Sequence, residues 1–152
     1  MHRARVIPIL LINKRRLEKT SIFFILLHFT TVGDPINAVK IFNDKEVDEL
    51  IIIDYTCSSP DFGFIKDLAN ECFMPLTYGG GIRSVEDVDK LISIGIEKIS
   101  VNSLLHSNPT EVEKIIKKFG SPTVVASIDC KKDFFGRLKV VSGGKKYKNP
   151  LV

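Results

Sequence analysis

Short β-branched runs alternate with amphipathic helical stretches along almost the whole chain, and no single residue constrains the fold as much. "RVIPILLI" (5–12) reads as a strand, and "DPINAVKIFNDKEV" (34–47) as a helix. Asp34 is placed to cap that helix and Pro35 to open it, with Ile36, Ala38, Val39 and Phe42 facing inward. "DELIIID" (48–54) is a second strand, 59–72 a helix and "MPLTY" (74–78) a third strand. The helix over 83–95 starts with Ser84 and Asp87 at capping-box spacing and turns Val85, Val88, Leu91 and Ile92 inward. "EKISVN" (97–102) is the fourth strand, and 108–120 is a helix from Asn108 through Pro109 to the terminating Gly120. "TVVASID" (123–129) is the fifth strand, and "GRLKVVSGGKKYK" reads as a hairpin arm. Near-continuous apolar strands alternating with helices mean a parallel sheet covered by helices. Four and a half βα units fit either a flavodoxin-like sheet or one half of an eight-unit barrel. A full barrel takes about 250 residues, so the 152 present cannot form one.

Composition narrows the function classes. With 44% hydrophobic and 26% charged residues the chain reads as an ordinary soluble domain with a core. A net charge of +4 favours anionic ligands only weakly. The lysines gather in "NKRRLEK" and "KKDFFGRLKVVSGGKKYK" without an aromatic-basic platform, so no nucleic-acid partner is expected. Cys57, Cys72 and Cys130 form no C-x-x-C pair, which argues against a metal site and for a reducing, cytoplasmic setting. "SIFFILLHF" (21–29) is too short for a bilayer, which needs about 20 apolar residues. A signal peptide fits poorly, because the run upstream already reads as a strand. The segment is expected to be a loop or strand covering apolar surface.

Ligands of parallel α/β folds sit at the carboxyl ends of the strands. Those ends are Leu11/Ile12, Asp54, Gly79–Gly81, Asn102/Ser103 and Asp129, and four of the five are polar or glycine. A run of three glycines can form a tight turn. It can also let successive N–H groups, helped by the amino end of the next helix, converge on a phosphate. Asn102 and Ser103, one strand along, could donate to the same anion. Asp129 ends an apolar strand, where partial burial would raise its pKa into acid–base range, although an Asp there also suits a turn cap. Lys19 follows strand one and could reach over the site. At the amino ends stand Arg5, Glu49 and Lys98, either at the water boundary or in a salt-bridged ring on a barrel floor.

Together, "RVIPILLI", "VGDPINAVKIFNDKEVDELIIID", "PLTYGGGI", "EKISVNS", "VVASIDCK" and "SGGKK" resemble the cyclase subunit of imidazole glycerol phosphate synthase, a (βα)8 barrel of histidine biosynthesis. The resemblance spans the chain outside 20–31 and reaches about half of the family barrel, so it implies one α/β half-barrel domain over 1–152, the N-terminal half of a (βα)8 barrel. It implies a lyase that uses ammonia from a glutaminase partner subunit to cyclise a phosphorylated imidazole nucleotide, without a cofactor. By the same resemblance Asp129 is the second of two acid–base aspartates and Lys19 a loop lysine. Gly80, Gly81, Asn102 and Ser103 form one of two phosphate sites. Arg5, Glu49 and Lys98 are three of four residues gating ammonia entry. The chain departs from the pattern where the first aspartate would fall, at Leu11, in the stretch 20–31, and in lacking strands six to eight and the second phosphate site. Paralogues that deliver ammonia for amidating surface-polysaccharide sugars also lack that aspartate. The expectation is a divergent paralogue with little or no activity alone. The alternatives are an ammonia-channelling partner in sugar amidation and a non-catalytic phosphate-binding scaffold or gene remnant. Open strand edges imply self-association or pairing with a second half-barrel chain.

Overall fold

A computed structural model describes residues 4–23, 26–142 and 145–146, with the backbone alone described for 20–23, 26–30, 141–142 and 145–146. Five strands run parallel: β1 (Ile9–Asn13), β4 (Leu50–Asp54), β5 (Leu76–Gly79), β6 (Lys98–Val101) and β7 (Val124–Ala126). Each lies beside its predecessor, in the order β1-β4-β5-β6-β7. A doubly wound sheet reverses its strand order at a switch point. This sheet never does, which separates the half-barrel from the flavodoxin-like alternative.

Helices α1 (Pro35–Asp44), α2 (Phe62–Glu71), α3 (Val85–Ser93), α4 (Ser103–Ser107) and α5 (Pro109–Phe119) fill the crossovers. Local chemistry sets where they start. The Asp34 carboxylate accepts from the Ile36 and Asn37 amides with Pro35 at the first helical position. Asn108 caps α5 by accepting from the Glu111 N–H. The expected capping box is formed: Ser84 Oγ accepts from the Asp87 N–H, while the Asp87 carboxylate accepts from the Ser84 and Arg83 amides. Val39, Leu68, Val88, Leu91 and Ile115 are almost fully buried against Ile12, Leu50, Ile52, Tyr78 and Ile99 of the strands. In β4 the alternation sends Leu50, Ile52 and Asp54 to this helical side, and Ile51 and Ile53 to the other, half-exposed face.

Four expectations need correction. Assigned β1 begins at Ile9 rather than residue 5, because Pro8 has no N–H for a ladder. The contact continues through Val6, whose carbonyl accepts from the Asp48 N–H and whose N–H donates to the Asp48 carboxylate, and through the Pro8 carbonyl, which accepts from Ile51. The helix over 59–72 starts at Phe62, where the Asp61 carboxylate caps it. The fifth parallel strand stops at Ala126. With no strand paired on its outer side among the described residues, the chain leaves the sheet there, and Asp129 opens β8 (Asp129–Lys132) of a second sheet. The arm holds the expected antiparallel pair, β9 (Leu138–Ser142) and β10 (Lys145–Lys146), but β8 adds a third strand to it. The side chains of its "GGKK" segment, and Gly143 and Gly144 themselves, lie outside the described residues.

Residues 21–23 and 26–29 of the apolar stretch lie in two strands paired antiparallel, β2 (Arg16–Phe23) and β3 (Leu26–Gly33). β2 pairs with β1 over Leu11–Asn13. Strand one is thus not the bare edge that the sequence suggests, at least over that span; β3 is outermost on that side and β7 on the other. The side chains of 21–29, and so what they cover, are outside the described residues.

Candidate active site at the carboxyl ends of the strands

β1 turns into β2 through Lys14 and Arg15, both left-handed at φ 46° and 63°, the conformation of a tight two-residue hairpin turn. The turn brings Glu18 directly opposite Leu11, and cross-strand partners share a face of the sheet. Asn13 Nδ2 donates to Glu18 Oε1 at 2.9 Å, and the Tyr55 hydroxyl donates to Glu18 Oε2. Thr56 Oγ1 in turn donates to Asn13 Oδ1 at 2.9 Å. Burial and then the Glu18 carboxylate push the Tyr55 phenol upward, so it stays a donor. Lys19, one residue on, projects from the opposite face of β2, the side of buried Leu17. The structure does not bring it to the other predicted residues.

The glycines are fully accounted for by their own chain. A Cβ on Gly80 would lie 2.2 Å from the Asp54 carbonyl oxygen, and one on Gly81 2.7–2.8 Å from the Ser59 backbone. One on Gly79 would meet Ile53 and Ser100 at 2.8–2.9 Å. The end of β4 and the loop after it lie where the side chains at 80 and 81 would otherwise be, and Ile53 and Ser100 fill the space at 79. Nor is the amino end of α3 open to an anion. Its Val85 N–H donates to Glu111 Oε1 at 3.1 Å and its Asp87 N–H to Ser84. Any anion held here would rely on the glycine loop and the next strand end.

That strand end is close by. Gly79 pairs with Ser100, so Gly80–Gly81 and Asn102–Ser103 leave neighbouring parallel strands at the same end. Asn102 Nδ2 donates to Asp129 Oδ2 at 3.0 Å. Asp129 therefore joins this end of the sheet although it belongs to β8. It is exposed rather than half-buried at the core margin, because the chain has already left the parallel sheet. The expected desolvation of its carboxyl is corrected accordingly.

A cleft of about 460 Å³ opens beside this end, between the Lys14–Arg15 turn and the loop after β4, and Thr56, Ser58 and Ser59 line it. Arg15 closes part of it, donating through Nε and Nη2 to Asp61 Oδ2 at 2.8 and 2.6 Å and lying over the Phe64 ring. Cys57 also lines the cleft, but burial pushes its thiol up, which disfavours the nucleophilic thiolate.

The three charged residues at the amino ends do come together. Glu49, 3% exposed, accepts from Lys98 Nζ at 2.8 Å and from Arg5 Nη2 at 3.1 Å, while Thr77 Oγ1 donates to its other oxygen at 2.8 Å. Burial alone would raise the Glu49 pKa. The hydrogen bonds from Lys98 and Thr77 and the charges of Lys98 and Arg5 outweigh it and hold the carboxyl below its ordinary range.

Sequence reading missed Asn13, Glu18, Tyr55 and Thr77. Thr77 was detectable as a polar side chain inside a short apolar strand. Glu18 was not, because its position depends on a turn and a register that no local pattern fixes. Among the described residues no three His, Cys, Asp or Glu stand together as a metal site. No helix among them is long and apolar enough to cross a membrane.

Comparison with known proteins agrees with this architecture. The sequence model of a family described as histidine biosynthesis protein matches residues 26–150. A Pseudomonas aeruginosa protein, provisionally named imidazole glycerol phosphate synthase subunit hisF2, is 47% identical over 146 residues. That alignment covers 93% of this chain and 57% of the relative. The imidazole glycerol phosphate synthase subunit HisF of Streptococcus mutans is 36% identical over 151 residues, 96% of this chain and 59% of its own. The chain spans about half the length of the curated relatives it matches.

Proposed function

The chain belongs to the histidine biosynthesis protein family, and from that membership we propose that it is the amino-terminal half of a cyclase-type barrel that binds a phosphorylated imidazole compound at the carboxyl ends of its strands. In this reading Gly80 and Gly81 offer main-chain N–H groups and Asn102 and Ser103 polar donors to the phosphate, with Asp129 beside them as acid or base. The observation that carries it is the common exit of residues 80–81 and 102–103 from adjacent parallel strands, with Asn102 tied to Asp129 at 3.0 Å. Arg5, Glu49 and Lys98 close the amino end as the gate through which ammonia from a glutaminase subunit would pass. Lys19 takes no part, since it projects from the other face of β2. A second half-barrel would complete the binding site.

Leu11 favours a second reading, in which the chain delivers ammonia to another acceptor and does not itself cyclise the imidazole substrate. A side chain without a proton stands on the site-facing side of β1, and removing one positioned acid or base costs about 10²–10⁴-fold.

Titration with inorganic phosphate, followed by amide NMR, tests the binding site on which both readings rest. The amides of residues 80–82 and 102–104 should shift together, and Ser103→Ala should weaken binding about tenfold, the loss of one hydrogen bond to a charged group. Unmoved resonances at tens of millimolar phosphate would remove the proposal.

A further inference from the structure

We propose that Glu18 supplies the substrate-facing carboxylate on the β1 side of this site, in the place that Leu11 leaves without one; the inference rests on the phosphorylated-imidazole reading above. Three observations converge. Glu18 is the cross-strand partner of Leu11, which pairs with Ile53, which pairs with Gly79. It therefore stands on the sheet face that leads to the glycine loop and Ser100. Its two oxygens are fixed separately, Oε1 by Asn13 and Oε2 by Tyr55. Those donors come from β1 and from the residue after β4, so the carboxylate is anchored to the parallel sheet and not only to its own hairpin. A carboxylate oxygen has room for a second donor, so both can still receive one from a ligand.

The third observation is the kind of donor. Glu49, Asp61, Glu111 and Asp133 each pair with a Lys or Arg. Among the described residues Glu18 pairs with no cation: its partners are a neutral amide and a phenol. Asp129, held by Asn102, is set up in the same way. A carboxylate in an ion pair gives up that pair when it takes a proton, whereas one positioned by neutral donors keeps its place in either protonation state. Glu18 and Asp129 then form two proton-transfer groups on the β1 and β7 sides of the glycine loop. The step is a simple exchange. Glu18 accepts a proton from an N–H or O–H of the bound imidazole compound and becomes a carboxylic acid. Asp129, once it has taken a proton from solvent, donates it to the opposite side of the ligand and returns to a carboxylate.

The test uses two probes on the full chain: imidazole glycerol phosphate and inorganic phosphate. With the glutamate side chains labelled with ¹³C, the Glu18 carboxyl resonance should move on saturation with imidazole glycerol phosphate and stay in place with phosphate. Glu18→Gln, which keeps the shape and an acceptor oxygen, should weaken binding of the imidazole compound about tenfold and leave phosphate binding unchanged. Glu18→Asp should fall between the two. If phosphate and the imidazole compound both bind wild type, but the Glu18 resonance does not respond or Glu18→Gln binds both probes like wild type, this inference is wrong while the phosphate site stands. Failure of phosphate itself to bind would take down the underlying reading and this one with it.

Discussion

The two ends of the same parallel sheet carry carboxylates in opposite circumstances. At the amino end Glu49 is buried, touches Lys98, Arg5 and Thr77, and is held in its ionised form. At the carboxyl end Glu18 is half-exposed and Asp129 exposed, each positioned by uncharged side chains. Both Glu49 oxygens already accept from within the protein, so this cluster can hold the fold. The carboxyl-end groups are positioned with no cation paired to them among the described residues, which leaves room for a further donor. Under the proposed function, one end stores stability and the other keeps reactivity.

The sharpest way to break that contrast is to delete Glu49. Glu49→Ala leaves the Lys98 ammonium, 23% exposed, and the fully buried Thr77 hydroxyl without their acceptor. Removing one partner from a buried charge pair costs about 3–5 kcal/mol, and the part-exposure of Lys98 puts the expected loss at the lower end, about 3 kcal/mol. Urea unfolding at neutral pH measures it. A loss below about 1 kcal/mol, the level of an exposed pair, would show that the cluster is a surface feature and that the two ends do not differ.

Acid sharpens the same contrast. The folded-state pKa of Glu49 lies below its ordinary value of 4.5. Its stabilising contribution is therefore fully present above about 4.5 and is lost as pH falls through the lower, folded value. Unfolding midpoints measured from pH 6 down to 2 should drop across that window in wild type. Glu49→Gln, which cannot ionise, should be less stable at pH 6 and show a shallower decline. Parallel curves for the two proteins would mean that other carboxylates set the acid limit.

How much of each end could be read from the sequence follows the same division. The half-barrel was legible because alternation, capping residues and apolar strands are local signals, as the Asp34, Ser84 and Asn108 caps illustrate. So were Arg5, Glu49 and Lys98, each fixed by its place at a strand start. The carboxyl end was only partly legible. Gly79–Gly81 was found, but its cause was not: the carbonyl of Asp54 and the backbone of Ser59 exclude a Cβ there, a packing fact with no trace in the glycines themselves. Asp129 was placed in strand five although it sits in β8, because "TVVASID" is uniformly strand-like and nothing in it marks where pairing runs out at Ala126. Glu18 was invisible, since its partnership with Leu11 exists only once two left-handed residues have closed the hairpin.

The smallest expected effect on stability is the most telling for function. Asn102 and Asp129 touch each other at the exposed mouth of the sheet, where a hydrogen bond competes directly with water and contributes little net free energy. Asp129→Asn should leave the urea midpoint within measurement error of wild type, in contrast to Glu49→Ala. Its consequence should fall on the ligand instead. Asn at 129 keeps the size of the side chain and an oxygen that can accept from Asn102, but it cannot take up or release a proton. Under the proposed function, phosphate affinity should therefore persist, because the proposed phosphate donors are untouched, while ammonia-dependent turnover with the proposed second half-barrel and a glutaminase should fall by about 10²-fold or more. If Asp129→Asn instead lowered stability as much as Glu49→Ala, Asp129 would be a structural carboxylate like Glu49. The division of labour between the two ends would then have to be abandoned.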